Sequence, residues 1–181
     1  VVVPSTPYDA KGLFTRALRC DDPVLFLEPR ALMSAKGPVP VEPYEIEFGQ
    51  ARIVREGRDA TVVAIGAMVP LAVAAAARLA EEGVSVEIVD PRTVSPLDTG
   101  AVLASLRKTG RLLVVDEEFG PCSIASEIAA VCADSGFNDL DAPIRRLNGA
   151  FAPTPYSPTL EAVVIPNADT VAAAIRNLIA E

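Results

Sequence analysis

Acids and an arginine gather in two short motifs of this 181-residue chain, Asp90-Pro91-Arg92-Thr93 and Asp116-Glu117-Glu118-Phe119-Gly120. Each follows a run of aliphatic residues and so falls at the carboxyl end of an expected strand, where open parallel sheets hold their ligands. If the two strands are near neighbours, Arg92 can work in either of two ways. It can serve as the guanidinium fork of an anion or substrate clamp, or it can pair with Glu117 or Glu118 and lock two loop ends together. The pairing is the favoured reading, because no nucleophile lies beside these residues. A third polar strand end, Gly66-Ala67, lacks the G-x-G-x-x-G spacing, so the backbone cannot approach a pyrophosphate closely there.

The other reactive side chains carry less. Ser123 and Ser126 have no histidine to activate them, since the chain contains none, and they read as polar residues at a helix start. Cys122 stands at the same helix start, where a thiol can be activated. The acids at 116–118 oppose its ionisation, so it reads as a packing residue. Asp21-Asp22 reads as a solvated turn before Pro23, because two adjacent acids are weak evidence for a cation site.

Alternation of strand and helix must position these groups. Val1–Val3 reads as an apolar strand. Thr6-Pro7-Tyr8-Asp9 supplies an N-cap, a proline at the first helical position and an early acid, opening a helix to about Arg19. Val24–Leu27 is a second buried run. Residues 29–48 are crowded with proline and form an extended connector, placing a domain boundary between 1–28 and 49–181. Beyond it, strands are expected at Thr61–Ile65, Val84–Val89, Leu112–Val115 and Ile144–Leu147. One helical stripe runs from Met68 to Leu79, and Ser95-Pro96-Leu97-Asp98 opens another helix that ends near Gly110. A third stripe is marked by Ile124, Ile128 and Cys132. A proline-rich loop leads to a last helix carrying Val171, Ile175 and Leu178. Continuous apolar strands between amphipathic helices specify an α/β fold, a mostly parallel sheet flanked by helices.

Composition sets outer bounds. There are 16 Lys+Arg against 24 Asp+Glu, a net charge of −8. That balance disfavours nucleic acid as a partner and favours basic protein surfaces. The most apolar window, 68–80, is short and holds Pro70 and Arg78, so no membrane span is expected. Three cysteines without a C-x-x-C pair point to a reduced, cytoplasmic chain. The start Val1-Val2-Val3-Pro4 resembles the middle of a buried strand, the expectation for a fragment or a processed chain.

The segments Val1–Gly12, Asp22–Pro29, Asp90–Asp98, Lys108–Arg111, Leu140–Pro143 and Pro153–Glu161 together resemble the β subunit (E1 component) of thiamine-diphosphate-dependent 2-oxo acid dehydrogenases. Asp90-Pro91-Arg92-Thr93 and Cys122-Ser123-Ile124-Ala125 look most like acetoin dehydrogenase β subunits, whereas Glu28-Pro29-Arg30 is closer to pyruvate or branched-chain types. The resemblance implies the C-terminal half of such a subunit. Residues 1–28 would close a pyrimidine-binding domain, 29–48 would be a linker, and 49–181 would be a transketolase C-terminal domain.

The same resemblance implies thiamine diphosphate and magnesium in the full assembly, held by upstream residues and not by this segment, which alone should be inactive. It implies an E1 α subunit and a second β subunit in a heterotetramer. Ala17, Leu18, Cys20 and Asp22 match positions that ligate a structural potassium ion. Asp141 matches an aspartate that contacts the subunit-binding domain of the dihydrolipoyl acyltransferase, with the terminal carboxylate of Glu181 assisting. The alternative expectation is a non-catalytic module of the same fold that serves oligomerisation or partner docking.

Overall fold

The computed structural model describes all residues, 1–181. Strands β1 (Arg52–Arg55), β2 (Ala60–Ala64), β3 (Val86–Asp90), β4 (Leu112–Phe119) and β5 (Arg145–Gly149) form one sheet in the order β1-β3-β2-β4-β5. β3, β2, β4 and β5 run parallel, and β1 lies antiparallel on β3. The expected α/β class with a mostly parallel sheet is what the chain adopts.

Helices cover both faces because side chains alternate along each central strand. Val62, Ile88, Leu113 and Val115 point to the face packed by α2 (Met68–Glu81) and α6 (Ala168–Ile179), where Leu79, Ile175 and Leu178 are fully buried. Burying such side chains stabilises by roughly 1.5–3 kcal/mol each. Val63, Val89, Leu112 and Val114 face α3 (Thr99–Thr109) and α4 (Ile124–Ser135), with Leu106, Ile128 and Cys132. A polar island lies on this second face. Thr61 bonds Ser105 at 2.7 Å and Thr109 at 2.8 Å, and the Ser105 hydroxyl donates to Glu87 at 2.7 Å.

Several local expectations are corrected. Val1–Val3 forms isolated bridges and no strand: Val2 pairs with Phe26 on one side and Thr93 on the other. Val24–Leu27 is not a buried run, because Leu25 is 64% and Leu27 51% exposed. β1 has no counterpart among the expected strands, since Arg-Ile-Val-Arg carries charge at both ends. α3 is capped by Asp98, which accepts the Ala101 amide at 3.0 Å, and not by Ser95. Ser95-Pro96 is instead a cis turn ahead of the helix. The last stretch is two helices, α5 (Pro158–Val164) and α6, separated at Pro166. Neither reaches the roughly 20 residues a membrane crossing needs.

The N-terminal segment is bound tightly to this body. In α1 (Pro7–Leu18), Thr6 caps the helix by accepting the Asp9 amide at 3.1 Å. Val3 donates to the Arg92 carbonyl at 2.9 Å, and Val94 donates to Val1 at 3.0 Å. The proline-rich connector packs back on α1. Tyr44 stacks on Tyr8 at 4.5 Å, and a Cβ on Gly12 would fall 2.6 Å from Ile46.

Candidate functional site

Strand order decides which strand ends meet. From β2 the chain crosses to β3 on one side, then returns past β2 to β4 on the other. The β2 and β4 ends are therefore the point where the winding reverses, where a crevice opens. Arg92, after β3, and Glu117, on β4, lie on opposite sides of β2, so the expected pairing of Arg92 with Glu117 or Glu118 does not form.

Arg92 turns to α1 instead, and its Nη2 lies 2.8 Å from Asp9 Oδ1. Arg52 from β1 approaches both Asp9 and Asp90, each at 3.5 Å. The Ser5 hydroxyl donates to Asp90, and the Arg92 amide donates to the other Asp90 oxygen at 3.0 Å. Asp9 and Asp90 are both fully buried. Burial drives the Asp90 carboxyl up; the Ser5 and Arg92 hydrogen bonds pull it down, Asp9 pushes it up again, Arg52 lowers it, and the net direction is upward. Both guanidiniums lie against the protein's own buried acids, so the cluster reads as an internal brace, although Arg52 Nε and Arg92 Nε keep no hydrogen-bond partner.

The crevice itself is acidic. A cleft of about 510 Å³ is lined by four acids, Glu28, Asp116, Glu117 and Glu118, and one base, Arg30, together with Val3, Pro29 and Cys122. Its wall comes from the N-terminal segment: a Cβ on Gly66 would sit 2.8 Å from Val3 and 3.1 Å from Pro29. With φ +51° as well, Gly66 is the residue type that lets the wall close on the β2 end. Asp116 is 3% exposed, and its Oδ1 accepts the Glu118 amide at 3.2 Å while Oδ2 has no partner. Burial raises the Asp116 carboxyl, partly countered by that amide. Glu117, open to solvent along one side, is raised by burial of its carboxyl and then by the charges of Asp116, Glu118 and Glu161.

Around the crevice, Ser123 and Ser126 hold the loop. Both hydroxyls donate to the Gly120 carbonyl, at 2.9 and 2.8 Å. Cys122 is exposed with φ 59°, which corrects its reading as a packing residue. The tight turn that Ser123 and Ser126 stabilise throws the side chain outward. Cys132 is the buried thiol, pushed up to about 11 by burial.

The positions matched to a potassium site fall at one end of α1. Ala17 and Leu18 close the helix, Cys20 follows with its amide on the Ala17 carbonyl at 3.3 Å, and Asp22 is exposed in the next turn. The last carbonyls of a helix lack intrahelical partners. The backbone carbonyls here and the Asp22 carboxylate are oxygen donors, the chemistry that hard cations take. No three carboxylate or thiolate side chains converge to hold a metal ion.

The two residues matched to partner contact sit apart from the crevice. Asp141 is exposed, and its amide donates to the Gly110 carbonyl at 2.7 Å beneath the end of α3. The Glu181 side chain is gripped by Arg145, with Nε 3.0 and 3.1 Å from its two oxygens.

Comparison with known proteins agrees with this architecture. Residues 49–171 match the family described as transketolase, C-terminal domain. The chain is 51% identical over 176 residues to acetoin:2,6-dichlorophenolindophenol oxidoreductase subunit beta of Cupriavidus necator, covering 97% of this chain and 52% of that protein. It is 48% identical over 180 residues to 2-oxoisovalerate dehydrogenase subunit beta of Bacillus subtilis, covering 98% and 55%. The chain thus spans about half the length of these curated relatives. A solved structure titled split gene transketolase, inactive beta4 tetramer, aligns with a TM-score of 0.78 at 24% identity, over 99% of this chain and 56% of that one. That likeness is one of fold. Sheet order, the two helical layers and the matched segment agree, and the chain belongs to the transketolase C-terminal domain family.

Proposed function

We propose that this chain is the C-terminal half of the β subunit of a thiamine-diphosphate-dependent acetoin or 2-oxo acid dehydrogenase, acting with an E1 α subunit and a second β subunit. The observation that carries the reading is the 51% identity to the Cupriavidus necator acetoin oxidoreductase β subunit across nearly the whole chain. It favours acetoin over branched-chain or pyruvate-type substrates. Thiamine diphosphate, when bound, supplies the electron sink for cleavage next to a carbonyl. The acids of the strand-end crevice would repel its diphosphate, so no residue of this chain is assigned to it or to magnesium.

This half serves assembly and docking. Asp141 offers an exposed carboxylate to a basic subunit-binding domain of the acyltransferase, where charge complementarity sets specificity and association rate. Glu181, its side chain held by Arg145, is the second residue assigned to that contact. Ala17, Leu18 and Cys20, through their carbonyls, and Asp22 hold a structural potassium ion at the end of α1.

The test is reconstitution. The full-length chain co-expressed with its α subunit should reduce dichlorophenolindophenol with acetoin only when thiamine diphosphate and magnesium are added. Pyruvate and 2-oxoisovalerate are the competing substrates. No cofactor-dependent turnover with any of the three removes the reading. Asp141→Asn should weaken binding of the acyltransferase domain about tenfold while turnover of the dye assay stays unchanged.

A further inference from the structure

We propose that the exposed apolar loop 151–163, with the acids beside it, seats a partner subunit through a basic residue carried in an apolar segment of that subunit. The inference rests on the dehydrogenase reading above, in which that partner is the α subunit, and deepens it by placing the contact.

Between Arg146 and Asp169 the sequence holds one charged residue, Glu161. Loops run over the surface and are normally polar, yet Phe151 is 77% and Val163 79% exposed. Helix α5 has no buried residue, although a short helix draws its stability from packing its apolar face. Phe151 meets Phe119 edge to face at 5.2 Å, and the Ala150 amide donates to the Val164 carbonyl at 2.8 Å, so the base of the loop is held in place. A cavity of about 570 Å³ lies between the aromatic pair and α5. A preformed aromatic surface depleted of charge has the composition of an interface core.

Charge selects the occupant. The charged residues of this cavity are Glu117, Glu118 and Glu161, and none of the three is in an ion pair within the chain. Arg30 borders the adjoining cleft with Glu117 and Glu161 and pairs with neither. Glu161 is also among the charges that raise the Glu117 carboxyl. A second copy of this chain, set face to face about a two-fold axis, would oppose acid with acid. A lysine or arginine of a different subunit answers those acids, and its apolar neighbours cover Phe151 and Val163.

Hydroxyl-radical footprinting of the full-length chain, read by mass spectrometry, follows the exposed Phe151 and Tyr156 with and without the α subunit. Both should be oxidised in the chain alone and protected in the complex. Sedimentation velocity then compares variants. Val163→Asp and Glu161→Lys should each weaken association with the α subunit about tenfold, the scale of one well-made interface contact. The melting temperature of the full-length chain alone should not change in either variant, which separates lost docking from lost folding.

Unchanged association in both variants overturns the docking face and leaves the dehydrogenase reading standing on its cofactor-dependent turnover. Protection already present in the chain alone overturns it as well. Such protection assigns the face to a second copy if it grows with concentration, and to the rest of the full-length chain if it does not. No association of the wild-type chain with the α subunit removes both.

Discussion

Arg92 reaches back across the molecule to Asp9, 2.8 Å away, and ties the first turn of α1 to the end of β3. The pair joins the N-terminal segment to the sheet at a point where the Asp9 side chain has no solvent contact. Breaking a buried ion pair from one side leaves the other charge stranded, at about 3–5 kcal/mol.

Asp9→Asn should therefore lower the unfolding free energy in urea by about 3 kcal/mol. Arg92 also has φ 60°, a left-handed conformation that disfavours any residue with a Cβ. Arg92→Ala loses the pair and keeps the strain, whereas Arg92→Gly loses the pair and relieves it. The glycine variant should be the more stable of the two by about 1 kcal/mol. Equal stability of the two would show that the backbone at 92 stores no strain.

Stability should peak on the acid side of neutral. Asp116, Glu117 and Asp90 have raised carboxyls, so the folded chain holds those protons more tightly than the unfolded one. Stability then rises as the pH falls from neutral through the raised values, and this gain levels off below the ordinary carboxylate range. Glu87 has the opposite sign. Burial pushes it up, but hydrogen bonds from Lys108, Ser105 and the Gly57 amide prevail and hold it low. Its contribution is present above the ordinary glutamate range and is lost as the pH falls through its lowered value. Urea titrations across about pH 3 to 8 should show the maximum between these windows. Asp116→Asn should flatten the neutral arm, and Glu87→Gln should flatten the acid arm. A curve climbing steadily from acid to neutral contradicts the assignment.

Gly110 holds Asp141 in place. It ends α3 with φ 69°, and a Cβ there would fall 2.2 Å from Asp141 Oδ2. Gly110→Ala should cost about 1–2 kcal/mol for the left-handed backbone alone and more for the collision. In Gly110→Ala combined with Asp141→Ala the collision is gone and only the backbone cost remains. The double variant should thus melt above the single Gly110→Ala variant, a non-additivity expected of touching residues. Strictly additive shifts in melting temperature would show that the two do not collide.

The central sheet was legible because its signal is local. Runs such as Thr61–Ile65 and Leu112–Val115 are apolar on both faces, and only a strand covered on both sides has that pattern. The helix cap at Thr6 follows from side-chain chemistry within one turn, whereas the Asn167 capping box of α6 was not read. What escaped depends on topology. The partner of Arg92 could not be read, because strand order places β2 between β3 and β4 and sends the guanidinium to a residue over 80 positions earlier. β1 was missed because an edge strand paired on one side needs no continuous apolar run. The acids of the crevice were visible in sequence; the unpartnered state of Asp116 was not, since it depends on what Val3 and Pro29 wall off.

The outermost strand, β5, carries Arg145 and Arg146 side by side and both are exposed. Arg145 is drawn to Glu181, and Arg146 donates to Ser126. An open strand edge is a template for pairing with other chains, and charge on it discourages that pairing. The two guanidiniums thus protect solubility during the interval when the sheet has formed and nothing yet covers β5. Replacing both by valine would leave the fold intact and turn this border into a seed for aggregation.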